Sequence, residues 1–266
     1  MKHLLAALRV VVVLTATAGL LYPLAMTGAA QALFPHQANG SRTKEHGSTL
    51  IGQSFGGDAK YFQSRPSMAG DGYDPTATAA SNLGGESVVD DLVAGKKSLL
   101  SQVCERSRAV GEMEGVSGLR PFCAPDGTGA TLGVFRKDGL KGAPVRVVSL
   151  NQACPAKPFT ATFEGRPVEC AKPGEDYGRA LIVPVRGTAT AVVPADAVTA
   201  GGSGLDPHIS VAYAEMQAAR VSRVRELPLD QVVRLIGEHT DGRALGFLGE
   251  PGVNVLKLNL ALDGKA

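Results

Sequence analysis

One long apolar run opens the chain, and shorter apolar stretches broken by polar and turn residues follow it. Residues 10–34 form a stretch of 25 residues without a charged side chain. At ~1.5 Å rise per residue, a helix of that length exceeds the roughly 30 Å hydrocarbon core of a bilayer. The pattern therefore predicts a membrane-spanning helix, and Pro23 is tolerable inside such a span.

A cleaved leader is the alternative interpretation of this run. Lys2 and Arg9 give it a basic start, and Ala30-Gln31-Ala32 has the small-x-small form that a signal peptidase cuts. The length of the run favours a retained helix. The slight excess of basic residues before the helix places the N-terminus in the cytoplasm and the rest of the chain outside.

Periodicity predicts further elements in the first part of the body. Residues 48–55 are β-prone, and a helix is expected from about Glu86, since apolar residues recur at helical spacing up to Val103. Residues 104–194 are rich in Gly and Pro and contain short β-prone pieces and all the cysteines. This stretch is expected to be a separate β-rich module.

Helical periodicity returns in the last part of the chain. Asp206 and Pro207 form an N-cap and first-turn pair for one predicted helix. A second helix is expected over residues 229–236, which place apolar residues at i, i+3, i+4 and i+7. Leucines alternate with other residues over 256–262, a pattern typical of a strand with one buried face.

These elements predict an α+β fold with an N-terminal transmembrane helix and an extracytoplasmic domain of a sheet with helices. The predicted segments are a cytoplasmic start and membrane helix (1–35), two parts of the α+β domain (36–103 and 195–266), and a β-rich, cysteine-containing insertion (104–194).

The cysteines and the charge limit the possible classes. Cys104, Cys123, Cys154 and Cys170 form an even set without zinc-site spacing, which favours disulfides in an oxidising compartment. The connectivity stays open, and four reduced buried thiols are the alternative. The net charge of +2, from 27 basic and 25 acidic residues, argues against a nucleic-acid-binding surface.

Motifs that carry chemistry are missing from the sequence. There is no GxxxxGK[ST] phosphate loop and no GxSxG elbow, and the five histidines lack metal-ligand spacing. We therefore expect no catalytic residue and no metal site, although an active site assembled only in the fold stays open.

Several strings resemble a known family. Leu21-Tyr22-Pro23-Leu24, Tyr61-Phe62-Gln63-Ser64-Arg65-Pro66-Ser67, Ala80-Ser81-Asn82-Leu83 and Ser203-Gly204-Leu205-Asp206-Pro207-His208 occur in order. Further matching strings lie at 34–41, 50–55, 73–75, 198–202, 218–221 and 252–263. In content and spacing they resemble the C-subunit family of bacterial Kdp potassium-transporting ATPases. The departure is the 104–194 segment, about 90 residues where the family usually has a short link.

The resemblance implies a retained membrane helix and a non-catalytic subunit of an ATP-driven potassium-uptake complex. Its implied partners are a channel-like potassium-translocating subunit, a P-type ATPase subunit and a small helical subunit. The resemblance also implies an assembly role and a contribution to the ATP affinity of the ATPase subunit. Since ATP is cytoplasmic, a body outside the membrane would not touch it and could instead cap the potassium entrance.

The same resemblance supplies the candidate site residues, each with a fold role or a partner contact as open alternatives. They are Tyr22, Pro23, Asn39, Gly40, Gln53, Tyr61, Phe62, Arg65, Pro66, Ser67, Ser81, Asn82, Ser203, Gly204, Asp206, Pro207, Arg220, Asn254 and Asn259. Two other functions compete with the accessory subunit. One is a secreted or anchored disulfide-containing binding module, and the other is an extracytoplasmic hydrolase.

Overall fold

The structure is a computed structural model that describes residues 2–43, 46–78, 86–139 and 141–264. The chain divides into two compact units after Ile51. The first unit contains the apolar helix, and the second contains the folded body. Each unit is described separately below.

The first unit is dominated by the predicted apolar helix, which is present. It runs from Lys2 to Leu33, 32 residues with a mean hydropathy of 2.2, and is long and apolar enough to cross a membrane. A π-helical turn over Thr17–Leu21 separates α1 (Lys2–Ala16) from α2 (Tyr22–Leu33). This turn directly precedes Pro23, which has no backbone N–H to continue the α-helical ladder.

After the long helix, the first unit ends in a short helix and a small hairpin. The helix α3 spans Pro35–Ala38. The strands β1 (Arg42–Thr43) and β2 (Gly47–Ser48) pair antiparallel. The strand predicted over residues 48–55 is wrong beyond Ser48, because the chain there turns and continues without strand pairing.

In the described residues, the second unit contains one larger sheet, one small sheet, four α-helices and a 3-10 turn over Ala195–Ala197. In chain order the elements are α4 (Leu99–Glu114), β3 (Thr131–Asp138), β4 (Lys141–Ala153), β5 (Thr162–Phe163), β6 (Arg166–Ala171), β7 (Leu181–Pro184), β8 (His208–Ser210), α5 (Val211–Arg225), α6 (Leu229–Glu238), β9 (Thr240–Asp241), β10 (Gly252–Asn254) and α7 (Val255–Leu262). The mixed α/β composition agrees with the predicted class.

The larger sheet has the strand order β5-β6-β4-β3-β7. All neighbours are antiparallel except β4 and β6, which are parallel. Alternate residues of β4 face opposite sides, so that Val147 packs in one apolar cluster and Val148 in another. Val89 and Leu92, from the irregular segment before α4, pack against the cluster of Val148. The sheet is thus covered by apolar side chains on both faces.

The main core lies around α5, α6, α7 and the small sheet, whose strand order is β8-β10-β9. Ser210 caps α5, since its Oγ accepts a hydrogen bond from the Tyr213 N–H at 3.1 Å. α6 begins at the predicted residue, runs two residues beyond the predicted end and buries Val232 and Ile236. Phe62, from the segment that enters the body, is fully buried in the same core.

Two predicted helix starts are wrong. The helix expected from Glu86 begins only at Leu99, because Ser98 is its cap and Gly95, at φ +67°, turns the chain before it. The helix expected from Pro207 begins at Val211, because residues 208–210 pair with β10 as β8. α4 also extends across residue 104, where the predicted β-rich insertion begins.

The strand predicted over residues 256–262 is also wrong, because α7 occupies this region. Asn254 accepts a hydrogen bond from the Lys257 N–H at 3.1 Å and starts the helix. The leucines alternate because α7 is buried on more than one side, and its polar Asn259 is itself buried. Burial around the helix therefore produced a two-residue period without a strand.

Candidate functional site

The candidate residues of the body come from two distant parts of the sequence that the fold brings together. The segment 52–73 lies against residues 199–220 and 254–263. The contacts form two groups, here called the Arg220 cluster and the Arg65 cluster. The first is internal, and the second reaches the surface.

The Arg220 cluster is centred on a buried ion pair. The Arg220 Nε lies 3.0 Å from Glu114 Oε1, and the two side chains are 3% and 1% exposed. Arg220 also donates to the carbonyl oxygens of Ala59 at 2.6 Å and Tyr61 at 3.0 Å, and to Gln217 Oε1 at 2.9 Å. Burial raises the pKa of the Glu114 carboxyl. One guanidinium thus joins α4, α5 and the 52–73 segment.

Two side-chain amides bind the backbone of the 52–73 segment in the way that a neighbouring β-strand would, each through one N–H and one C=O group. Asn259 accepts from the Phe62 N–H at 2.9 Å and donates to the Phe62 carbonyl oxygen at 3.0 Å. Gln217 does the same for Gln63, at 2.6 Å and 3.2 Å. These contacts satisfy the buried backbone of the segment, so Phe62, Arg220 and Asn259 fasten it to the core.

Tyr61 and Asn254 also have partners inside the body. The Tyr61 hydroxyl donates to Asp263 Oδ2 at 3.1 Å, and the Arg225 guanidinium lies 4.8 Å from the centre of the Tyr61 ring. Arg225 also pairs with Asp263 Oδ1 at 2.8 Å. Asn254 is the cap of α7. These candidates hold the C-terminal helix in place.

The Arg65 cluster joins the same segment to the turn before β8. The Arg65 Nη1 lies 2.8 Å from Asp206 Oδ2, and its Nη2 lies 3.4 Å from the Thr199 carbonyl oxygen. The Ser67 Oγ donates to the Gly204 carbonyl oxygen at 2.6 Å. The Arg65 and Asp206 side chains are 22% and 36% exposed. This cluster is therefore accessible in part to a partner.

Two glycines permit the close approach of backbones in the Arg65 cluster. Gly204 has φ +70°, and a Cβ placed there would lie 2.8 Å from the Ala69 nitrogen. A Cβ on Gly52 would lie 2.5 Å from the Asp206 carbonyl oxygen. The Gly52 N–H donates to the Leu205 carbonyl oxygen at 2.8 Å. Neither position has room for a side chain.

His208 lies beside this cluster, and the sequence offered it only as part of the string from Ser203 to His208, not as a separate candidate. Its Nε2 is 3.0 Å from Asp241 Oδ2, and its Nδ1 is 3.6 Å from Asp206 Oδ1. Hydrogen bonding to Asp206, and then to Asp241, raises the pKa of His208. In return, His208 and Arg65 lower the pKa of Asp206 to about 2. In the sequence it is marked only by the string that it shares with Asp206, two residues before it.

A cleft adjoins the Arg65 cluster. It has a volume of about 300 Å³ and lies between the 52–73 segment and the helices α4 and α5. Phe55, Val110 and Met113 give it an apolar lining, and Arg65 and Arg106 line it with charge. Burial lowers the pKa of Arg106. The cleft offers a mixed apolar and cationic surface beside the exposed part of the cluster.

The remaining candidates are dispersed. The Ser64 Oγ donates to the Gln53 carbonyl oxygen at 2.9 Å, the Val255 N–H donates to the Pro207 carbonyl oxygen at 3.1 Å, and Pro66 lines the cleft. Ser203 accepts from the Leu205 N–H at 3.1 Å. In the first unit, Asn39 donates to the Pro35 carbonyl oxygen at 2.7 Å, Gly40 has φ +81°, and Tyr22 is 64% exposed. Ser81 and Asn82 lie outside the described residues.

The cysteines form two disulfides, Cys104–Cys123 and Cys154–Cys170. The first joins α4 to the chain before β3, and the second joins the end of β4 to β6. The alternative of four reduced thiols is therefore wrong for this structure. Both crosslinks lie in the second unit.

Over the ranges that the structure describes, no group of three or more His, Cys, Asp or Glu side chains could hold a metal ion. The candidate side chains chiefly bind backbone groups and each other. A long apolar N-terminal helix precedes a disulfide-bonded α/β body whose polar residues fasten one segment to another. These features are consistent with a protein that one N-terminal helix anchors in a membrane and that carries a single disulfide-bonded body.

Comparison with known proteins gives the family. The family model described as "K+-transporting ATPase, c chain" matches residues 4–112 and 178–264. The chain belongs to this KdpC family. Proteins named "Potassium-transporting ATPase KdpC subunit" from Mycobacterium tuberculosis H37Rv and Rhodospirillum rubrum are similar to it. The Mycobacterium protein is 37% identical, and the alignment covers 98% of this chain and 98% of the relative. The Rhodospirillum protein is 39% identical, and the alignment covers 94% of this chain and 89% of the relative.

The protein is therefore an accessory, non-catalytic subunit of the potassium-transporting ATPase complex, and the secreted binding module is not favoured. The family model matches from residue 4, so it includes the apolar helix, which is consistent with membrane anchoring. It does not match residues 113–177, which contain most of the larger sheet. The relative from Kineococcus radiotolerans aligns with 97% of this chain at 39% identity, so it shares much of that region.

Proposed function

We propose that the chain stabilises the potassium pump from outside the cytoplasmic membrane, with its N-terminus in the cytoplasm and its helix retained in the bilayer. The partners in this proposal are the channel-like potassium-translocating subunit, the P-type ATPase subunit and the small helical subunit. The observation that carries it is the pair of disulfides in the body. Disulfides persist in oxidising compartments and are rare in the cytoplasm.

The charges that flank the helix support the same orientation. Lys2, Arg9 and the α-amino group lie before the helix or within its first turns, and Arg42 and Lys44 follow it, so the excess on the N-terminal side is slight. An excess of basic residues marks the cytoplasmic side of a membrane helix. Cytoplasmic ATP would then be on the opposite side of the membrane from the body. Any effect on the ATP affinity of the pump would be indirect, through the assembled complex.

In this arrangement the body acts as a clamp. The Arg220 cluster gives it a rigid frame, because buried ionic and amide contacts fix the 52–73 segment against three helices. The Arg65 cluster and its cleft offer a partly exposed surface next to that frame. We assign this surface to contact with the channel-like subunit, near the potassium entrance.

The membrane helix contributes its own contact in this proposal. Tyr22 is a polar-tipped aromatic next to a π-helical turn and a proline, an irregular surface that suits a neighbouring helix better than lipid. Tyr22→Leu with Pro23→Leu should therefore reduce recovery of the complex in mild detergent. Unchanged recovery would remove this part of the proposal.

Cysteine labelling in intact cells tests the orientation. All native cysteines are in disulfides, so one reactive thiol can be introduced at a time. Gly187→Cys lies at an exposed position with open space around it, and His3→Cys marks the N-terminus. A membrane-impermeant maleimide should label position 187 in intact cells and position 3 only after permeabilisation. The reverse pattern would contradict the proposal, and a mature N-terminus at Leu33 would exclude a retained helix.

A further inference from the structure

The connection between β9 and β10 exposes a group of large apolar side chains. Leu245, Phe247 and Leu248 are 83%, 69% and 51% exposed. They belong to residues 244–249, here called the hairpin tip, whose sequence Ala-Leu-Gly-Phe-Leu-Gly has no polar side chain. Scattered exposed apolar residues need no explanation, but a contiguous group is typical of an interaction site.

The hairpin tip has a fixed conformation. Ala244 and Leu248 exchange two backbone hydrogen bonds, each 2.9 Å long. Below them, Arg243 and Glu250 form an ion pair at 2.7 Å. The strands on either side pair with each other, and Val253 of β10 is buried in the main core. The exposed side chains are therefore presented by a short, internally bonded turn that is anchored in the core.

Leu245 adopts a backbone conformation that is unfavourable for leucine. Its φ is +54°, in the left-handed region that glycine and asparagine occupy at lower cost. A leucine that is both strained and exposed gains nothing within this chain. Strain of this kind is typical of functional positions.

We propose that the hairpin tip is an anchor that inserts into an apolar pocket on the extracytoplasmic part of a partner subunit of the pump. This inference rests on the proposed function, because it needs the body to lie outside the membrane among partner subunits. The apolar tip fills the pocket, and Arg243 with Glu250 forms a polar rim around it. Such an arrangement is that of a hot spot enclosed by polar contacts.

Charge argues against a bilayer as the occupant. Loops and helices that lie in a membrane surface combine apolar area with attraction of basic residues to anionic lipid. At the hairpin tip, Glu250 neutralises Arg243, and Asp241 lies next to His208. No net positive charge therefore remains beside the apolar side chains in the described part of this loop. A fixed turn also suits a shaped pocket, since less conformational freedom is lost on binding.

Area argues against a second copy of this chain as the occupant. The three side chains expose on the order of 400 Å², about half of the roughly 800 Å² per partner that a stable interface buries. The tip alone would not hold a dimer together. In a complex whose subunits already contact each other elsewhere, a small anchor is sufficient, because the other contacts keep its local concentration high.

Photocrosslinking in the assembled complex identifies the occupant. The full chain is co-expressed with the other pump subunits, with p-benzoylphenylalanine in place of Phe247. The matched control carries the same group in place of Val93, which is 74% exposed elsewhere on the body. Irradiation should produce an adduct with peptides of a partner subunit at position 247 and several-fold less at position 93. Adducts with phospholipid, adducts with a second copy of this chain, or equal yields at both positions would overturn the proposal.

A substitution experiment supports the crosslink with a functional readout. Leu245→Asn with Phe247→Ser should leave the melting temperature of the isolated full chain unchanged, since both side chains are exposed and asparagine accepts a positive φ. It should lower the complex recovered after a detergent wash by at least about tenfold, because burial of each of the two large apolar side chains contributes about that factor. Val93→Ser should have no effect.

The outcomes of these experiments distinguish a failure of the hairpin-tip proposal from a failure of the proposed function. If the unmodified chain does not recover partner subunits, the proposed function fails. If the unmodified chain recovers them, and the double variant does so equally well, then only the hairpin-tip proposal fails.

Discussion

Removal of the Arg220 guanidinium should destabilise the body more than any loss of a surface ion pair. In Arg220→Met, the Glu114 carboxylate would stay buried without its cation, and the Ala59 and Tyr61 carbonyl oxygens would lose a donor. Breaking a buried pair by removing one partner costs about 3–5 kcal/mol. For a domain of this size, each kcal/mol shifts the melting temperature by about 2–4 °C. The expected decrease is therefore roughly 6–20 °C.

Thermal unfolding of the full chain in mild detergent measures this effect. Far-UV circular dichroism follows the body, while the membrane helix contributes a nearly constant background. Lys97→Met is the matched control, because Lys97 and Glu105 form an ion pair at 2.7 Å with side chains 53% and 57% exposed. An exposed pair contributes at most about 1 kcal/mol, so the control should shift the melting temperature by only a few degrees.

A double variant distinguishes a buried charge from lost packing. Arg220→Met with Glu114→Leu removes both charges, and apolar replacement of a buried pair is often neutral or stabilising. It should be more stable than Arg220→Met alone. If Arg220→Met is as mild as Lys97→Met, or if the double variant is no better than the single one, the role assigned to the Arg220 cluster is refuted.

The remaining predictions concern a close backbone contact, a titrating histidine and a disulfide. Gly204→Ala should cost about 1–3 kcal/mol by urea unfolding, since its Cβ would lie 2.8 Å from a backbone nitrogen at φ +70°, whereas Gly187→Ala, in open space, should be neutral. Folding raises the pKa of His208, so its contribution to stability should be fully present below pH about 6.5, the ordinary pKa of histidine. That contribution should be lost as the pH rises through the pKa that His208 has in the folded protein. His208→Asn should therefore flatten the dependence of melting temperature on pH in this range. Replacing Cys154 and Cys170 by alanine should cost about 3 kcal/mol, from the loss of a crosslink with a sequence separation of 16; an unchanged unfolding midpoint would contradict this.

The apolar helix and the helix α6 could be predicted because their patterns reflect a single environment. A long uncharged run of that length is typical of a membrane-spanning helix. α6 is amphipathic, with one face in the core and the other in solvent. In both cases the spacing of apolar residues follows directly from the geometry of the element.

The spacing of apolar residues gave wrong predictions where an element is buried on more than one side or where an irregular segment is buried. α7 is buried on more than one side, so its leucines gave the period of a strand. Val89 and Leu92 lie at helical spacing, but they pack on the larger sheet from an irregular segment. Short range patterns cannot reveal such long-range contacts, since the partner surface is formed by residues distant in sequence.

The candidate residues come from strings in the sequence, but only the structure shows what each of them contacts. The contacts of Phe62 with Asn259 and of Arg220 with Tyr61 each join residues that are more than 150 positions apart in the chain. Nothing local distinguishes such internal residues from Arg65 and Asp206, which are partly exposed. His208 lacked a signal of its own, because its partner Asp241 is 33 residues away.

A native pull-down of the tagged full chain from membranes in mild detergent tests most directly whether this protein is an accessory subunit of a potassium pump. Mass spectrometry should identify a P-type ATPase subunit and a channel-like potassium-translocating subunit in constant proportion to the chain, with its N-terminal helix intact. Recovery of the chain alone, with Leu33 at its N-terminus, would contradict both the assembly role and the membrane anchor.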